Sequence, residues 1–147
     1  MLNLNKLFKE TWLQAEESTC LKKKVGALLV SFDSGVILGK GCGMPDTPCK
    51  VCVRKTYTWT QDGCWSIHGE VRAIFDALEK QNIFTSNSYF SDCFMLTTHG
   101  PCDQCIKYMV HFKIPLIIYE EEYKTNYFKW KNKILIYQKN YYMENIL

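Results

Sequence analysis

Residues 67–72 (I-H-G-E-V-R) and 100–105 (G-P-C-D-Q-C) contain the two motifs around which the rest of the chain is organised. His68, Cys102 and Cys105 offer one nitrogen and two sulfur ligands, the set that suits a tetrahedral zinc with an open fourth position. Glu70 follows His68 by two residues and is not needed to hold a metal. A carboxylate left over beside an open metal position indicates a catalytic site rather than a structural one.

The spacing within each motif restricts where its side chains can lie. Cys102 and Cys105 are three residues apart at the predicted start of a helix, so both can lie on one face and share a metal. The helix N-terminus also favours thiolates. His68 and Glu70 are two residues apart, which would place them on nearly opposite sides of a regular helix. We therefore expect His68 to precede the regular helix, and the glycine between the two residues is consistent with that start.

Length and composition place the chain with single-domain globular proteins. It has 147 residues, of which 47% are hydrophobic and 22% charged, and its net charge is +3. This mild charge fits an anionic small molecule as well as a nucleic acid. No apolar run is long enough to span a bilayer and the N-terminus is amphipathic, so a cytoplasmic location is the default expectation. The eight cysteines would be reduced there, which favours metal ligands or buried thiols over disulfides.

Hydrophobic periodicity predicts alternating strands and helices. The order β-β-α-β-α-β-(α)-β indicates an α/β fold, with one mixed sheet of about five strands covered by helices. Residues 39–63 show no sustained period and predict a long functional loop. Residues 120–129 are ambiguous, with a helix preferred. The predicted helices cover residues 2–17, 68–81 and 102–112, and the predicted strands cover 25–32, 36–38, 93–97, 115–119 and 134–137.

The pattern H-x-E…P-C-x-x-C is the signature of zinc deaminases. Further matches are S-T-C at residues 18–20, K-V-G-A-L-L-V at 24–30 and T-T-H-G-P-C-D-Q-C-I-K at 97–107. On these motifs the chain resembles the zinc-dependent cytidine/deoxycytidylate deaminase superfamily, and within it the dCMP deaminases. The resemblance covers about residues 5–125. We expect a single deaminase domain over residues 1–147, in which residues 5–125 form the catalytic core and residues 126–147 form a C-terminal strand and tail.

The resemblance implies a cytidine deaminase-like three-layer α/β/α fold and hydrolytic deamination of a free cytosine nucleotide, most simply dCMP to dUMP and ammonia. Zinc would activate a water molecule, and Glu70 would move protons to the base and the leaving amine. Relatives are oligomers, so a homo-oligomer is expected. Two alternatives stay open: a deaminase of another base (cytidine, guanine, or adenosine or cytosine in a polynucleotide), and a catalytically silent nucleotide-binding zinc protein. The weak charge argues against nucleic acid as a partner.

A second zinc site is expected in the cysteine-rich region. Cys49 and Cys52 have the spacing of a metal knuckle, and four thiolates would make a closed structural site. Relatives of the dCMP deaminase type often hold a second zinc, which would here use Cys20, Cys49, Cys52 and Cys64. The alternative is that some of these are buried free cysteines. Cys42 and Cys93 are interpreted as ordinary buried thiols.

Two departures from the family pattern concern the substrate. The chain has G-K-G-C-G-M-P at residues 39–45, where relatives have G-Y-N-G-x-P, so Cys42 or Gly41 replaces an Asn that holds the nucleoside. Arg72 replaces another Asn and is interpreted either as a phosphate clamp or as part of an intramolecular salt bridge. Tyr123 and Lys124 correspond to substrate-side residues of relatives. The basic run Lys22, Lys23 and Lys24 is interpreted as a solvated turn.

Overall fold

The computed structural model describes residues 2–52, 64–81, 90–123 and 125–147. A five-stranded mixed sheet has the strand order β2-β1-β3-β4-β5. β1 pairs antiparallel with β2 and β3, whereas β3, β4 and β5 run parallel. The strands are β1 (Gly26–Ser31), β2 (Ile37–Cys42), β3 (Cys93–His99), β4 (Leu116–Glu121) and β5 (Leu135–Gln138), and the helices are α1 (Leu4–Glu16), α2 (Gly69–Gln81), α3 (Asp103–His111) and α4 (Lys139–Asn145).

Helices cover both faces of the sheet because each strand alternates its side chains between the two faces. In β1, Leu28 and Val30 contact the core under α1, whereas Ala27 and Leu29 contact the core under α2 and α3. Residues of α4 pack against the first of these two cores. The predicted α/β fold with a mixed sheet of five strands is therefore confirmed.

Two glycines of β2 allow α2 to lie directly on the sheet. A Cβ on Gly41 would lie 2.4 Å from the carbonyl oxygen of Gly69, and one on Gly39 would lie 2.1 Å from the carbonyl oxygen of Ala73. Side chains there would force the helix away from the strand, so glycine at these positions holds the start of α2 close to the sheet. The prediction of an irregular segment from residue 39 was wrong, because β2 continues to Cys42.

The segment after β4 also differs from the prediction of a helix over residues 120–129. β4 runs on to Glu121, and only Tyr127–Trp130 forms a short 3-10 helix. Contacts with the start of α3 hold this segment: the Tyr127 hydroxyl donates to the carbonyl oxygen of Pro101 at 2.8 Å, and the Trp130 indole donates to Asp103 at 2.9 Å. Tertiary bonds thus fix a conformation that local periodicity does not indicate.

The tail, which the sequence left unassigned, contains α4. The side chain of Gln138 accepts hydrogen bonds from the backbone N–H groups of Asn140 and Tyr141 and so caps the start of the helix. In the described part of the chain, none of the helices combines the length and apolar character needed to cross a bilayer.

Candidate metal and catalytic site

Two helix starts bring the motif side chains together. α2 begins at Gly69, so His68 precedes the regular helix, and its carbonyl oxygen accepts the first helical hydrogen bond from Arg72 at 3.0 Å. Cys102 is the N-cap residue of α3 with extended backbone angles, and Cys105 lies in the first turn of that helix. The Cys102 side chain makes no capping bond in the described structure, which leaves its sulfur available as a ligand.

The three candidate ligands converge on one point. Nδ1 of His68 lies 3.2 Å from Sγ of Cys105 and 3.4 Å from Sγ of Cys102. A tetrahedral zinc, with Zn–S and Zn–N bonds of about 2.3 and 2.0 Å, would separate such atoms by roughly 3.5 Å. The donor set and its spacing therefore fit zinc. Within the described residues, no other group of three His, Cys, Asp or Glu ligand atoms lies within 4.8 Å of one another.

The pKa values of the two thiols are shifted in opposite directions. The hydrogen bond with Cys105 is the largest of the effects that together lower the pKa of Cys102 to about 4; burial opposes it and His68 adds to the lowering. The same hydrogen bond and burial raise the pKa of Cys105. A divalent cation held here would be bound by both sulfur atoms as thiolates, because thiolate is the form that binds metal.

Glu70 is buried beside this group, with 3% of its surface exposed. Its Oε2 lies 3.5 Å from Sγ of Cys105. Burial raises the pKa of the carboxyl group, and the backbone N–H of Glu70 and the charge of His68 act in the opposite direction. A raised pKa makes the protonated form of the carboxyl group easier to reach, which favours a group that both accepts and releases a proton.

One cavity opens onto the ligand group. Its lining includes His68, Glu70 and Cys102 together with Tyr123, one of the predicted substrate-side residues. Lys124 lies outside the described residues. The wall also contains three residues that sequence reasoning did not select: Lys23, Ser66 and His99. The sequence predicted a solvated turn for Lys23 and no role for His99, which belongs to the T-T-H-G-P-C motif. The position of His99 at the end of a predicted strand, just before Cys102, could have indicated that it lies near the metal ligands.

Two predicted substrate contacts lie elsewhere in the described chain. Arg72 donates from Nη2 to the carbonyl oxygen of Met44 at 2.8 Å and to Asp46 at 2.9 Å, which is the salt-bridge alternative. Cys42 is buried, and burial raises the pKa of its thiol. Both residues line a groove formed by residues of α1, β2 and α2 and are not part of the wall of the cavity at His68.

The four cysteines considered for a second zinc line a common cavity of their own. Cys20, Cys49, Cys52 and Cys64 all contribute to its wall. Their sulfur atoms do not form a group of three within 4.8 Å in the part of the chain that the structure describes. Cys20 and Ser66 line both this cavity and the cavity at His68, so the two are neighbours.

The family profile described as "Cytidine and deoxycytidylate deaminase zinc-binding region" matches residues 1–121. No curated protein sequence matches the chain. The fold is similar to that of dCMP deaminase from the cyanophage S-TIM5 without ligand, with a TM-score of 0.68 and 20% identity over 91% of this chain and 94% of that chain. The same phage enzyme in complex with dCMP and dUMP gives a TM-score of 0.66 and 21% identity over 92% and 96% of the two chains.

Other deaminases share this fold. Guanine deaminase from Nitrosomonas europaea has a TM-score of 0.63 and 12% identity over 94% of this chain and 78% of that chain. A structure from a study of tRNA:A34 deaminases has a TM-score of 0.61 and 15% identity over 92% and 99%. At these identities the similarity establishes the fold and does not identify the substrate.

Proposed function

We propose that this chain, which belongs to the cytidine and deoxycytidylate deaminase zinc-binding family, is a hydrolase that converts dCMP and water into dUMP and ammonia. The observation that carries the proposal is the convergence of His68, Cys102 and Cys105 beside a carboxyl group that the metal does not need. That group, Glu70, is buried at the same cavity. A purely structural zinc site would have no use for it.

His68 would hold the metal through Nδ1, and Cys102 and Cys105 would hold it through their thiolates. Zinc bound there would supply the nucleophile by lowering the pKa of a coordinated water. Glu70 would take the proton released by that water and deliver it to the ring nitrogen next to the reacting carbon. Glu70 would then take the proton of the hydroxyl group added to that carbon and pass it to the exocyclic amine, so that the C–N bond breaks with release of ammonia and the added oxygen becomes the carbonyl oxygen of the product. Burial of Glu70 supports this role, because a raised pKa makes its protonated form accessible.

The choice of dCMP rests on weaker support than the reaction. It is supported by the S-T-C and K-V-G-A-L-L-V motifs and by similarity in fold to an enzyme solved with dCMP and dUMP. Guanine deaminase and a tRNA deaminase share the fold at similar TM-scores. The experiment must therefore distinguish deamination of dCMP from deamination of another base or of a base within a polynucleotide.

A substrate panel tests the proposal. Zinc-loaded protein is assayed for ammonia release from dCMP, CMP, deoxycytidine, cytidine, guanine and a tRNA anticodon stem-loop. We expect dCMP to be the best substrate. Glu70→Ala should lower kcat by about 10²–10⁴-fold while zinc content stays at the wild-type level. Glu79→Gln, at an exposed position on the same helix, is the matched control and should keep full activity. A fully active Glu70→Ala variant would show the mechanism to be wrong.

We also propose that the cavity lined by Cys20, Cys49, Cys52 and Cys64 binds a second, structural zinc. Support comes from the four cysteines that line one cavity, because four thiolates make a closed structural zinc site. Elemental analysis of the purified protein should give two zinc ions per chain. The double variant Cys49→Ser/Cys52→Ser should retain one and should unfold at a lower temperature. Retention of two zinc ions by this variant would contradict the proposal.

The family resemblance further supports a homo-oligomer located in the cytoplasm. Light scattering of the zinc-loaded protein tests the first point, and a single species at the mass of one 147-residue chain would contradict it. Imaging of a tagged full-length chain in its host tests the second.

A further inference from the structure

The cavity at His68 has two nitrogen donors in its wall that the proposed chemistry does not use. Lys23 follows α1 in a surface-exposed turn, and His99 ends β3. Both line the cavity that contains His68 and Glu70. Neither lies among the three ligands that converge on the metal position. These two residues are therefore available to contact a part of the substrate away from the reacting carbon.

Hydrogen bonding fixes the tautomer of His99. The Thr98 hydroxyl is fully buried; it accepts from the backbone N–H of Gly26 at 3.0 Å and lies 2.8 Å from Nδ1 of His99. No other partner of that hydroxyl exists among the described residues. Its own hydrogen would be unsatisfied unless it is donated to Nδ1. Nδ1 is therefore the acceptor, and the ring proton is on Nε2.

Neighbouring residues also fix the orientation and charge state of this ring. The ring of Trp12 packs edge-on against His99, with the ring centroids 5.5 Å apart. The Trp12 indole N–H donates to Glu120, which also pairs with Lys139 at 2.7 Å, so Trp12 is held in turn. Burial, together with the positive charge of Lys23, lowers the pKa of His99 to about 4. At neutral pH the imidazole is uncharged and presents an Nε2–H donor.

Lys23 supplies the positive charge that His99 lacks. Its ammonium group lies 5.6 Å from the centre of the Tyr123 ring, which lines the same cavity. The ammonium is close enough to His99 to affect its pKa. Arg72, the other candidate for binding an anion, is instead paired with Asp46 at 2.9 Å. Lys23 is thus the cationic residue in the described wall of the cavity.

We propose that Lys23 and His99 together recognise the phosphate group of the substrate, with Lys23 providing charge and the Nε2–H of His99 an oriented hydrogen bond. The inference rests on the proposed function, since it concerns the same cavity and assumes a nucleotide ligand. On this inference, Lys23 and His99 are the reason why the protein prefers a nucleoside monophosphate to the corresponding nucleoside. A phosphate group can accept a hydrogen bond from the neutral N–H donor and pair with the charge of the ammonium. The sugar hydroxyl groups carry no charge for the ammonium to pair with.

Binding of the reaction product tests the pair independently of turnover. Dissociation constants of dUMP and deoxyuridine are measured by calorimetry on the zinc-loaded full chain. Wild-type protein should bind dUMP more tightly than deoxyuridine. Lys23→Gln should weaken dUMP binding by about 10–100-fold, the range for a hydrogen bond to a charged group, and leave deoxyuridine unchanged. The wild-type preference for dUMP should also shrink as salt is raised.

Two comparisons complete the test. Lys24→Gln removes a neighbouring exposed lysine that does not line the cavity and should bind both ligands as wild type does. His99→Leu should weaken dUMP binding selectively, and His99→Gln, which retains an N–H donor, should restore part of it. If wild type binds both ligands equally, or if Lys23→Gln and His99→Leu change both by one factor, the inference is overturned. Selective dUMP binding without ammonia release would instead reject the proposed reaction and support the pair.

Discussion

The substitution Gly41→Ala tests whether close packing of α2 on β2 holds the two halves of the site together. The new Cβ would lie 2.4 Å from the Gly69 carbonyl oxygen and 2.6 Å from the Ala73 nitrogen, both backbone atoms. An ordinary contact begins at about 3.4 Å, so the start of the helix would have to move by about 1 Å. Because His68 and Glu70 lie at that start, they would move relative to Cys102 and Cys105, which belong to a different helix.

Zinc coordination tolerates far less displacement than this, since ligand distances vary by about 0.2 Å. We therefore expect Gly41→Ala to weaken zinc binding by at least about 10-fold and to lower kcat/KM by about 100-fold. The overpacking itself should cost about 1–3 kcal/mol of unfolding free energy. For a chain of this length that corresponds to a decrease in Tm of roughly 3–12 °C.

Gly26→Ala is the matched control. Its Cβ would lie 2.2 Å from the carbonyl oxygen of Thr11, so an equally severe overlap would fall on α1 instead of α2. It should lower Tm by a similar amount while the protein keeps its catalytic zinc. Zinc affinity is measured by competition with a chromophoric chelator and Tm by calorimetry. If Gly41→Ala loses stability but keeps wild-type zinc affinity and kcat/KM, the reasoning from helix position to metal site is refuted.

Two further predictions concern His99 and the ion pair between Glu120 and Lys139, which holds the Trp12 ring that packs against His99. Burial and Lys23 lower the pKa of His99 from 6.5 to about 4, so the folded state favours the neutral ring; the stability this provides is present above pH 6.5 and is lost as pH falls through about 4. The free energy of unfolding, measured with denaturant across this pH range, should fall less steeply in His99→Gln than in wild type as pH decreases. Equal dependence on pH in the two proteins would contradict the assignment. Lys139→Met removes the partner of Glu120 in a pair whose side chains are 15% and 28% exposed; it should cost about 1.5–3 kcal/mol of unfolding free energy. Lys80→Met breaks the more exposed pair with Asp76 and should change stability by less than about 1 kcal/mol; equal effects of the two variants in urea titrations would count against the difference in burial as the cause.

The Tyr127–Trp130 segment illustrates why residues 120–129 were assigned wrongly. Residues 120–129 (E-E-E-Y-K-T-N-Y-F-K) are mostly charged, polar or aromatic and do not define a clear period of a strand or a helix. The conformation depends on bonds to Pro101 and Asp103 at the start of α3. Those partners are distant in the sequence, so no local pattern could identify them. The same holds for β2, where glycine at positions 39 and 41 indicates a loop locally but accommodates α2 in the folded chain.

The sequence alone determined the chemistry of the candidate metal site. Its ligand types, the i, i+3 spacing of Cys102 and Cys105, and the need for His68 to precede the helix are local properties of the sequence. The structure places His68 before α2 and brings the three candidate ligand atoms together. Short apolar runs and the helical spacing of apolar residues likewise predicted strands and helices, and their order along the chain predicted the α/β class.

Only the tertiary structure decided which polar residues face the cavity. Arg72, adjacent in sequence to the H-x-E motif, turns toward Asp46, whereas Lys23 and His99, from separate elements, line the cavity with Glu70. These arrangements depend on how α1, β3 and the segment after β4 pack together, and on which partner satisfies each buried polar atom. Such long-range packing leaves no period or spacing in the sequence, so a motif can define the chemistry of a site without defining what surrounds it.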